Sequence, residues 1–346
     1  MIFTLPDDLT ATAPPEQRGV ARDQVRLLVA RGDGAEHARF ADLARFLDPG
    51  DLVVVNTSAT LAAAVDGERA DGRDVAVHFS TALDDGRWLV EVRPPVDATG
   101  PVPDAQPGER ITLPVGVTLT LVAEHGRLWH AELAVEGGVE CYLARYGRPI
   151  TYSYVHGRWP VSAYQTVFAH DPGSAEMPSA GRPFTASLVT ELVSAGIGVA
   201  PITLHTGVSS LEEGEPPLAE RYRVPAATAR LVNLTRASGG RIVAVGTTVT
   251  RALETVAHVD GWLGSGSGWT DLVLGPQRPA RVVDGLITGW HAPGASHLLL
   301  LEAVAGPQLV ADAYREALHE GYLWHEFGDS CLLLLDRAQS IVHAAA

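Results

Sequence analysis

One short stretch of this chain combines residue types that could do chemistry. Residues 245–254 run from the end of an apolar segment, through the turn Gly246-Thr247-Thr248, into a segment with helical spacing that carries Arg251 and Glu254. Such a turn presents two hydroxyls and free helix N–H groups at the carboxyl end of a strand, where open α/β folds usually bind ligands. The pattern predicts a site for an anionic or polar small molecule. Two structural alternatives stay open: Arg251 could pair with Glu254 at i,i+3 spacing, and the threonines could cap the helix.

The elements that must position this site change in character along the chain. From about residue 60 to 136, short alternating segments are separated by Gly, Asp and Pro, a pattern typical of a small antiparallel β-barrel. After residue 150, predicted helices alternate with predicted strands, which favours a partly parallel sheet or an α/β barrel. We therefore predict an α/β fold in which a discontinuous, barrel-like α/β domain of residues 1–58 and 150–346 is interrupted by an antiparallel β-barrel domain at 59–149.

The glycine-rich segment 264–268 and the histidines could suggest phosphate or metal binding. The segment lacks both the strand-to-helix setting and the lysine of a phosphate-binding loop, so it predicts a flexible connection. The 13 histidines show no spacing with Cys or acidic residues of the zinc-binding type. We expect no metal site.

The charge of the chain limits its partners. The formal net charge is −15, and all 26 basic residues are arginine, because no lysine occurs. Without lysine the protein cannot form a Schiff base or use a lysine general base. The chain also lacks the diffuse positive field that gives most nucleic-acid binders their affinity, although a local arginine patch could still bind RNA. Genomic GC bias is an equally acceptable reason for the arginine, because arginine keeps the charge of lysine.

Length and hydropathy place the protein among globular proteins. With 346 residues it can form two domains, each able to bury a core. No apolar run approaches the length needed to span a bilayer, and the N-terminus shows no secretory signal, so we expect a cytoplasmic protein without a membrane partner. We interpret Cys141 and Cys331 as small buried apolar residues. The oligomeric state is left open.

An ordered series of motifs extends nearly from end to end of the chain. It comprises Arg22-Asp23, the segment Pro-Gly-Asp-Leu-Val-Val-Val-Asn at 49–56, Tyr164-Gln165-Thr166, Phe184-Thr185, Thr203-Leu204-His205, Gly246-Thr247-Thr248 with Arg251, Trp269-Thr270-Asp271, Asp284-Gly285-Leu286 with His291, and Phe327-Gly328-Asp329. In this order, over roughly three hundred residues, the motifs resemble the S-adenosylmethionine:tRNA ribosyltransferase-isomerase family of queuosine biosynthesis. The family's architecture, a discontinuous α/β domain with an inserted β-barrel, agrees with the division predicted above.

The resemblance implies an enzyme that uses S-adenosylmethionine as a ribosyl donor. The ribosyl part moves to an aminomethyl-deazaguanine base in tRNA, and adenine and methionine leave. A sulfonium acidifies the adjacent methylene, so a modest base can take its proton where water is excluded, and the leaving adenine needs a proton donor. The implied catalytic residues are His205, His291, Asp284 and Asp329. The implied substrate-binding residues are Tyr164, Gln165, Thr166, Arg182, Phe184, Thr185, Gly246, Thr247, Thr248, Arg251, Trp269, Asp271, Trp290 and Phe327.

Several motifs depart from the family pattern. Where the family has Asn-Asp-Thr-Arg, this chain has Asn56-Thr57-Ser58-Ala59, and Gly-Leu-His-Phe-Thr is replaced by Gly-Arg-Pro-Phe-Thr at 181–185. Most departures remove a cation or a histidine from loops that should face the substrate. We therefore predict a divergent paralogue that keeps the S-adenosylmethionine pocket and whose tRNA acceptor is in question. The alternatives are a small-molecule acceptor, no acceptor, or a nucleoside-binding protein without catalysis.

Overall fold

The computed structural model describes residues 3–95, 100–208 and 218–335. In this part of the chain the helices are α1 Val139–Tyr146, α2 Ala186–Ser194, α3 Ala226–Ala237, α4 Gly246–Val256, α5 His297–Ala305 and α6 Pro307–His319. The strands are β1 Arg26–Arg31, β2 Gly34–Arg39, β3 Leu52–Asn56, β4 Ser58–Thr60, β5 Ala64–Arg69, β6 Asp74–Ala82, β7 Trp88–Arg93, β8 Arg110–Leu113, β9 Val117–His125, β10 Leu128–Leu133, β11 Asp171–Ser174, β12 Gly198–Leu204, β13 Glu220–Val224, β14 Ile242–Val245, β15 Gly266–Thr270, β16 Gly285–Gly289 and β17 Ser330–Leu334. None of the described helices has the length and apolar character needed to cross a membrane.

A large mixed sheet forms the centre of the α/β part. Its strand order among the described residues is β15-β13-β12-β3-β14-β16-β17-β1-β2. Strands β12, β3, β14 and β16 run parallel, whereas β13 is antiparallel to β12 and β17 is antiparallel to β16. Strand β3 buries both faces, with Leu52 and Val54 in one core and Val53 and Val55 in the other. Since alternate side chains of a strand point to opposite faces, its continuous apolar run suits a sheet that is covered on both sides.

The inserted segment folds into a closed antiparallel barrel. Its strand order is β10-β7-β6-β5-β8-β9, and all of these strands lie within the predicted insertion at 59–149. Val77, Phe79 and Val90 are fully buried, and Leu143 of α1 packs in the same core. The alternating pattern of the sequence therefore corresponds to strands with one face turned towards the barrel interior.

The predicted fold class is confirmed, with three local corrections. The large sheet is open, with β2 and β15 at its edges, so among the described strands only those of the inserted segment close into a barrel. The sequence predicts a flexible connection at 264–268, but residues from Gly266 onwards form edge strand β15, because ladder hydrogen bonds to β13 need only backbone groups. Cys331 is buried as expected, whereas Cys141 is exposed on α1, on the side turned away from the barrel core. The domain boundaries stay a prediction.

Candidate functional site

The carboxyl ends of the parallel strands meet at one edge of the large sheet. Strand β3 ends at Asn56, β14 at Val245 and β16 at Gly289, and the parallel registers place these ends side by side. Antiparallel β17 begins at the same edge, because Ser330 pairs with Gly289. The segment before β17 therefore joins the loops after β14 and β16, in the position where open α/β sheets bind ligands.

A cavity of about 460 Å³ opens at this edge. The sheet side contributes the loops after β12, β14 and β16, the start of β13 and the turn before β17, while Arg127 reaches it from the β9–β10 turn of the barrel. A volume of this size is within the range of small-molecule sites. Its polar lining includes Arg127, Tyr152, Tyr154, Glu176, Thr206, Glu220, Thr247, Thr248, Arg251, Thr288, His291, Ser296, His297, His325 and Glu326.

The Gly-Thr-Thr turn lies where the sequence predicts it. Gly246 begins α4 with a φ of +89°, a conformation that favours glycine. Thr247 and Thr248 follow in the first helical turn and line the cavity. Thr248 Oγ1 accepts a hydrogen bond of 3.4 Å from Asn56 Nδ2. Helix α4 has no side-chain cap, so the alternative in which these threonines serve as caps is wrong.

Replacing Gly246 by alanine should destabilise the protein and disturb the cavity wall. The added Cβ would lie 3.3 Å from the Cβ of Ala180, and the positive φ costs a side chain about 1 to 2 kcal/mol. Urea denaturation should show this loss of unfolding free energy. Gly239→Ala is the matched control, because Gly239 also has a positive φ of +78° but no atom within 4 Å of the added Cβ. A smaller loss in Gly246→Ala than in Gly239→Ala would contradict a restraining contact with Ala180.

Arg251 and Glu220 form a buried ion pair in the cavity wall. The guanidinium NH1 contacts Glu220 Oε2, while Nε and NH2 each donate to a backbone carbonyl at 3.1 Å. The alternative pair with Glu254 is not formed, because Glu254 accepts hydrogen bonds from the N–H groups of residues 281–283. Burial raises the pKa of Glu220 above its usual value, although Arg251 lowers it. Arg251 therefore uses most of its N–H donors for bonds within the protein.

His291 follows β16 and is bonded to Thr288 through one ring nitrogen. Its Nε2 lies 3.0 Å from Thr288 Oγ1, and that hydroxyl also lies 3.1 Å from Gly289 O. When the hydroxyl donates to Gly289 O, it accepts from an Nε2–H and Nδ1 carries no proton; when it donates to Nε2, the proton is on Nδ1. The ring stacks on His297, with centroids 4.6 Å apart and planes within 4°. His291 is thus held as a neutral imidazole with one nitrogen able to accept a proton.

The histidines of the described cavity wall favour the neutral form. Burial lowers the pKa of His291 well below its usual range, and the nearby His297 and His325 contribute further. Burial also lowers the pKa of His297 to about 4, and it lowers the pKa of His325. Neutral imidazoles can accept a proton and do not repel a bound cation.

Two carboxyl groups and two tyrosines occupy the wall next to His325. Tyr152 OH contacts Glu176 Oε1, and Tyr154 OH donates to Glu326 Oε2 at 3.4 Å. The rings of Tyr152, Tyr154 and His325 form a continuous stack, with successive centroid distances of 5.7 and 4.4 Å. Burial raises the pKa of Glu326 to about 8, and Glu176 adds to this effect. The carboxyl of Glu326 is therefore mainly protonated at neutral pH.

Some of the predicted site residues converge on this cavity. They are Gly246, Thr247, Thr248, Arg251, Trp290 and His291. Trp290 also belongs to the core, because it is 2% exposed and packs edge-on against Tyr314 with centroids 5.0 Å apart. The loops after β14 and β16 therefore supply the part of the site that local sequence patterns predict.

The other predicted catalytic residues lie outside the cavity lining, where Asp284 and Asp329 bond backbone N–H groups and His205 bonds a serine side chain. His205 Nδ1 lies 2.7 Å from the buried Ser58 Oγ. Asp284 accepts a hydrogen bond of 2.9 Å from Ile242 N, which ties β14 to β16. Asp329 accepts hydrogen bonds of 2.8 Å from the N–H groups of residues 26 and 323 and so closes the turn before β17. These positions favour structural roles over the predicted proton transfer.

The remaining predicted binding residues also lie outside the lining. Arg182 pairs with Glu16 at 2.8 Å, and Trp269 Nε1 donates to Asp84 at 2.8 Å. Asp271 is exposed. The others are Tyr164, Gln165, Thr166, Phe184, Thr185 and Phe327, which pack or form hydrogen bonds within the surrounding fold. Their positions suit support of the fold better than contact with a ligand in this cavity.

Sequence reasoning misses the wall formed by Tyr152, Tyr154, Glu176, His325 and Glu326. The adjacent titratable pair His-Glu at 325–326, directly before a Phe-Gly-Asp motif, is a signal that could have indicated part of it. The tyrosines and Glu176 carry no such signal, because they lie about 150 to 170 residues earlier and reach the cavity only through the fold.

A possible metal-ligand group occurs on the surface rather than in the cavity. Among the described residues, Glu316, His319 and Glu320 could place three ligand atoms within 4.8 Å of one another near the end of α6. Exposed acidic groups commonly occur together without an ion. That the protein uses no metal ion is still a prediction.

Comparison with known proteins identifies the family. A family model described as "Queuosine biosynthesis protein" matches residues 1–333. The chain belongs to this queuosine biosynthesis family. A relative from Symbiobacterium thermophilum, named S-adenosylmethionine:tRNA ribosyltransferase-isomerase, is 38% identical over 346 residues, which cover 96% of this chain and 98% of the relative. A relative of the same name from Moorella thermoacetica is 36% identical over 363 residues, with the same coverage of 96% and 98%.

A solved structure agrees with the architecture of this queuosine biosynthesis family member. An S-adenosylmethionine tRNA ribosyltransferase from Thermotoga maritima matches with a TM-score of 0.55 and 28% sequence identity, over 96% of this chain and 99% of that chain. The family that the motifs indicate is thereby confirmed, and with it the predicted class of enzyme, a transferase-isomerase.

The motif departures of this family member at 56–59 follow β3 at the edge of the sheet that holds the cavity. Thr57 Oγ1 lies 3.0 Å from Thr203 Oγ1 and donates to Asp171 Oδ2 at 3.2 Å, while Ser58 bonds to His205. These side chains connect β3, β11 and β12 through hydrogen bonds in which Asp171 is the one acidic partner. Whether the departures mark a paralogue with a different acceptor stays a prediction.

Proposed function

We propose that this protein is a ribosyltransferase-isomerase that binds S-adenosylmethionine in the cavity of about 460 Å³ and transfers its ribosyl part. The observation that carries the proposal is the buried imidazole of His291, bonded to Thr288 through Nε2 and stacked on His297, in a cavity lined by carboxylates and hydroxyls. The names of the relatives support the same class of reaction.

The polar groups of the cavity match the parts of S-adenosylmethionine. Its sulfonium and ammonium are cations, which suit a wall with the carboxylates of Glu176 and Glu220 and with neutral histidines. Thr247 and Thr248, together with the N–H groups at the start of α4, suit the ligand's carboxylate or ribose oxygens. We assign Arg251 a positioning role in the cavity wall, because its guanidinium already bonds Glu220 and backbone carbonyls.

His291 is the proposed base. The sulfonium acidifies the neighbouring methylene, and Nδ1 of His291 takes a proton from it, which leaves the electron pair on carbon next to the positive sulfur. This step requires the tautomer in which Thr288 accepts from Nε2–H, and stacking on His297 orients the ring plane. The lowered pKa of His291 makes it a weaker base but ensures that it is unprotonated near neutral pH.

For the acceptor we propose a tRNA base, on the strength of the relatives' names. A small-molecule acceptor is the second candidate, and the surface charge favours it. The net charge is −15, and several arginines on the barrel and on β13 contact carboxylates, which reduces the counterion release that RNA binding would gain from them. These pairs are Arg148 with Asp66, Arg221 with Asp84, and Arg223 with Asp171.

Chromatography of the products from S-adenosylmethionine tests both candidates. We expect adenine and methionine to be released with tRNA that carries an aminomethyl-deazaguanine base, and the affinity for that tRNA to fall steeply with salt. Release with the free base alone would support the small-molecule acceptor instead. Calorimetric binding of S-adenosylmethionine without release in any of these mixtures would overturn the assignment as a transferase.

A further inference from the structure

Glu326 is a carboxyl group in the cavity wall that the steps above do not use. Its Oε1 is shielded from solvent and has no hydrogen-bond partner among the described residues. Its Oε2 accepts only a long hydrogen bond, 3.4 Å, from Tyr154 OH. A buried polar atom without a partner is costly, so native proteins keep few of them, and a catalytic role is one of the reasons to keep one.

The backbone next to Glu326 forms a strained turn that is bonded to the segment carrying His291, the proposed base. His325 has a left-handed φ of +71°, which is unfavourable for a residue with a side chain. Gly328 N donates to His325 O at 3.0 Å and closes the turn, while His325 N donates to Trp290 O at 3.4 Å. The turn that carries Glu326 is thus bonded to the segment that carries His291.

The groups around Glu326 favour its protonated form. Burial, with the charge of Glu176, raises its pKa to about 8 against the opposing effects of the Tyr154 hydroxyl and the charge of Arg182. Burial also raises the pKa of Tyr154, so its hydroxyl keeps its proton. With the neutral His291 on the same wall, the cavity holds a protonated acid and an unprotonated base, the pairing expected of an acid–base site.

We propose that Glu326 is the proton donor to the adenine that leaves S-adenosylmethionine, an inference that rests on the proposed function. Tyr152, Tyr154 and His325 line the same cavity as this carboxyl, and an outer ring of their stack suits contact with a planar purine. When the bond between the ribosyl carbon and the adenine nitrogen breaks, its electron pair goes to adenine, and a lone pair of the ribose ring oxygen completes the shell of the ribosyl carbon. The carboxyl of Glu326 gives its proton to an adenine nitrogen, so neutral adenine departs and Glu326 becomes a carboxylate. Water returns the proton before the next turnover.

Glu326→Gln tests this role, because glutamine keeps the shape of the side chain and lacks the acidic proton. With S-adenosylmethionine and the tRNA acceptor, we expect kcat for adenine release to fall about 10²- to 10⁴-fold, whereas the calorimetric Kd of S-adenosylmethionine changes little. In the wild type the rate should fall as the pH rises through about 8, since the acid form is then lost. This alkaline limb should disappear in Glu326→Gln and persist in Glu326→Asp, which retains an acid.

Glu191→Gln is the matched control, because Glu191 is exposed on α2 and the same change there should alter neither rate nor pH profile. The infrared difference between wild type and Glu326→Gln at pH 7 should contain the C=O band of a protonated carboxyl, a readout that needs no turnover. If the wild type releases adenine and Glu326→Gln matches it in rate and alkaline limb, the inference is overturned and the proposed function stands. If the wild type releases no adenine with any acceptor, both are overturned.

Discussion

Replacing Arg251 by methionine should lower the free energy of unfolding by about 3 to 5 kcal/mol. The guanidinium bonds Glu220 and two backbone carbonyls at 3.1 Å, and its side chain is only 8% exposed. Without it, the carboxylate of Glu220 stays in the wall with no cation beside it, which costs far more than the loss of a surface pair. Urea denaturation at pH 7 measures this loss. The deficit should shrink at lower pH, because the raised pKa of Glu220 lets it become neutral there.

A double-mutant cycle separates the ion pair from the remaining contacts of Arg251. Glu220→Gln removes the charge that Arg251→Met leaves behind, so the double variant should be less destabilised than the sum of the two single variants, by about 1 kcal/mol or more. Arg315→Met is the matched control, since Arg315 pairs with Asp312 at 2.7 Å but is 72% exposed, and its loss should cost less than about 1 kcal/mol. Strict additivity in the cycle would show that the pair with Glu220 does not stabilise the wall.

Replacing His291 by glutamine should reduce kcat for adenine release about 10²- to 10⁴-fold, because the proposed base is lost. Glutamine can still donate to Thr288 Oγ1, so the wall and the Kd of S-adenosylmethionine should change little. Since the pKa of His291 lies well below its usual value, the wild-type rate should not fall when the pH drops from 7 to 6. Steady-state rates over this range, together with calorimetric binding, check both expectations.

The control for this variant is His319→Gln at the exposed end of α6, which should leave the rate unchanged. An acid limb centred on the ordinary histidine pKa would show that the base is a solvent-exposed imidazole. If kcat for adenine release in His291→Gln stays within a few-fold of wild type, His291 is not the base. A carboxylate of the cavity would then be the next candidate.

Local patterns were sufficient to predict some of the helices. The apolar spacing at 139–146 predicts α1 with the observed bounds, and Thr185 caps α2 by accepting from Leu188 N at 3.2 Å. These elements depend on capping and side-chain periodicity within a few residues, which any sequence window contains. Helix α5 is not predicted, because the run Leu-Leu-Leu-Leu at 298–301 has no polar face from which a helical period could be read.

The sequence by itself determined the family, the strand-turn-helix at 245–254 and the division into a sheet and an inserted barrel. Only the tertiary structure decided that Arg251 pairs with Glu220, that Asp284 and Asp329 hold backbone outside the cavity, and that residues 152–154 and 176 meet residues 325–326. Such contacts join segments up to 303 residues apart, so no local spacing encodes them. The chemistry of Glu326 has the same origin, because a carboxyl becomes an acid at neutral pH only when packed neighbours exclude the water that would stabilise its charge.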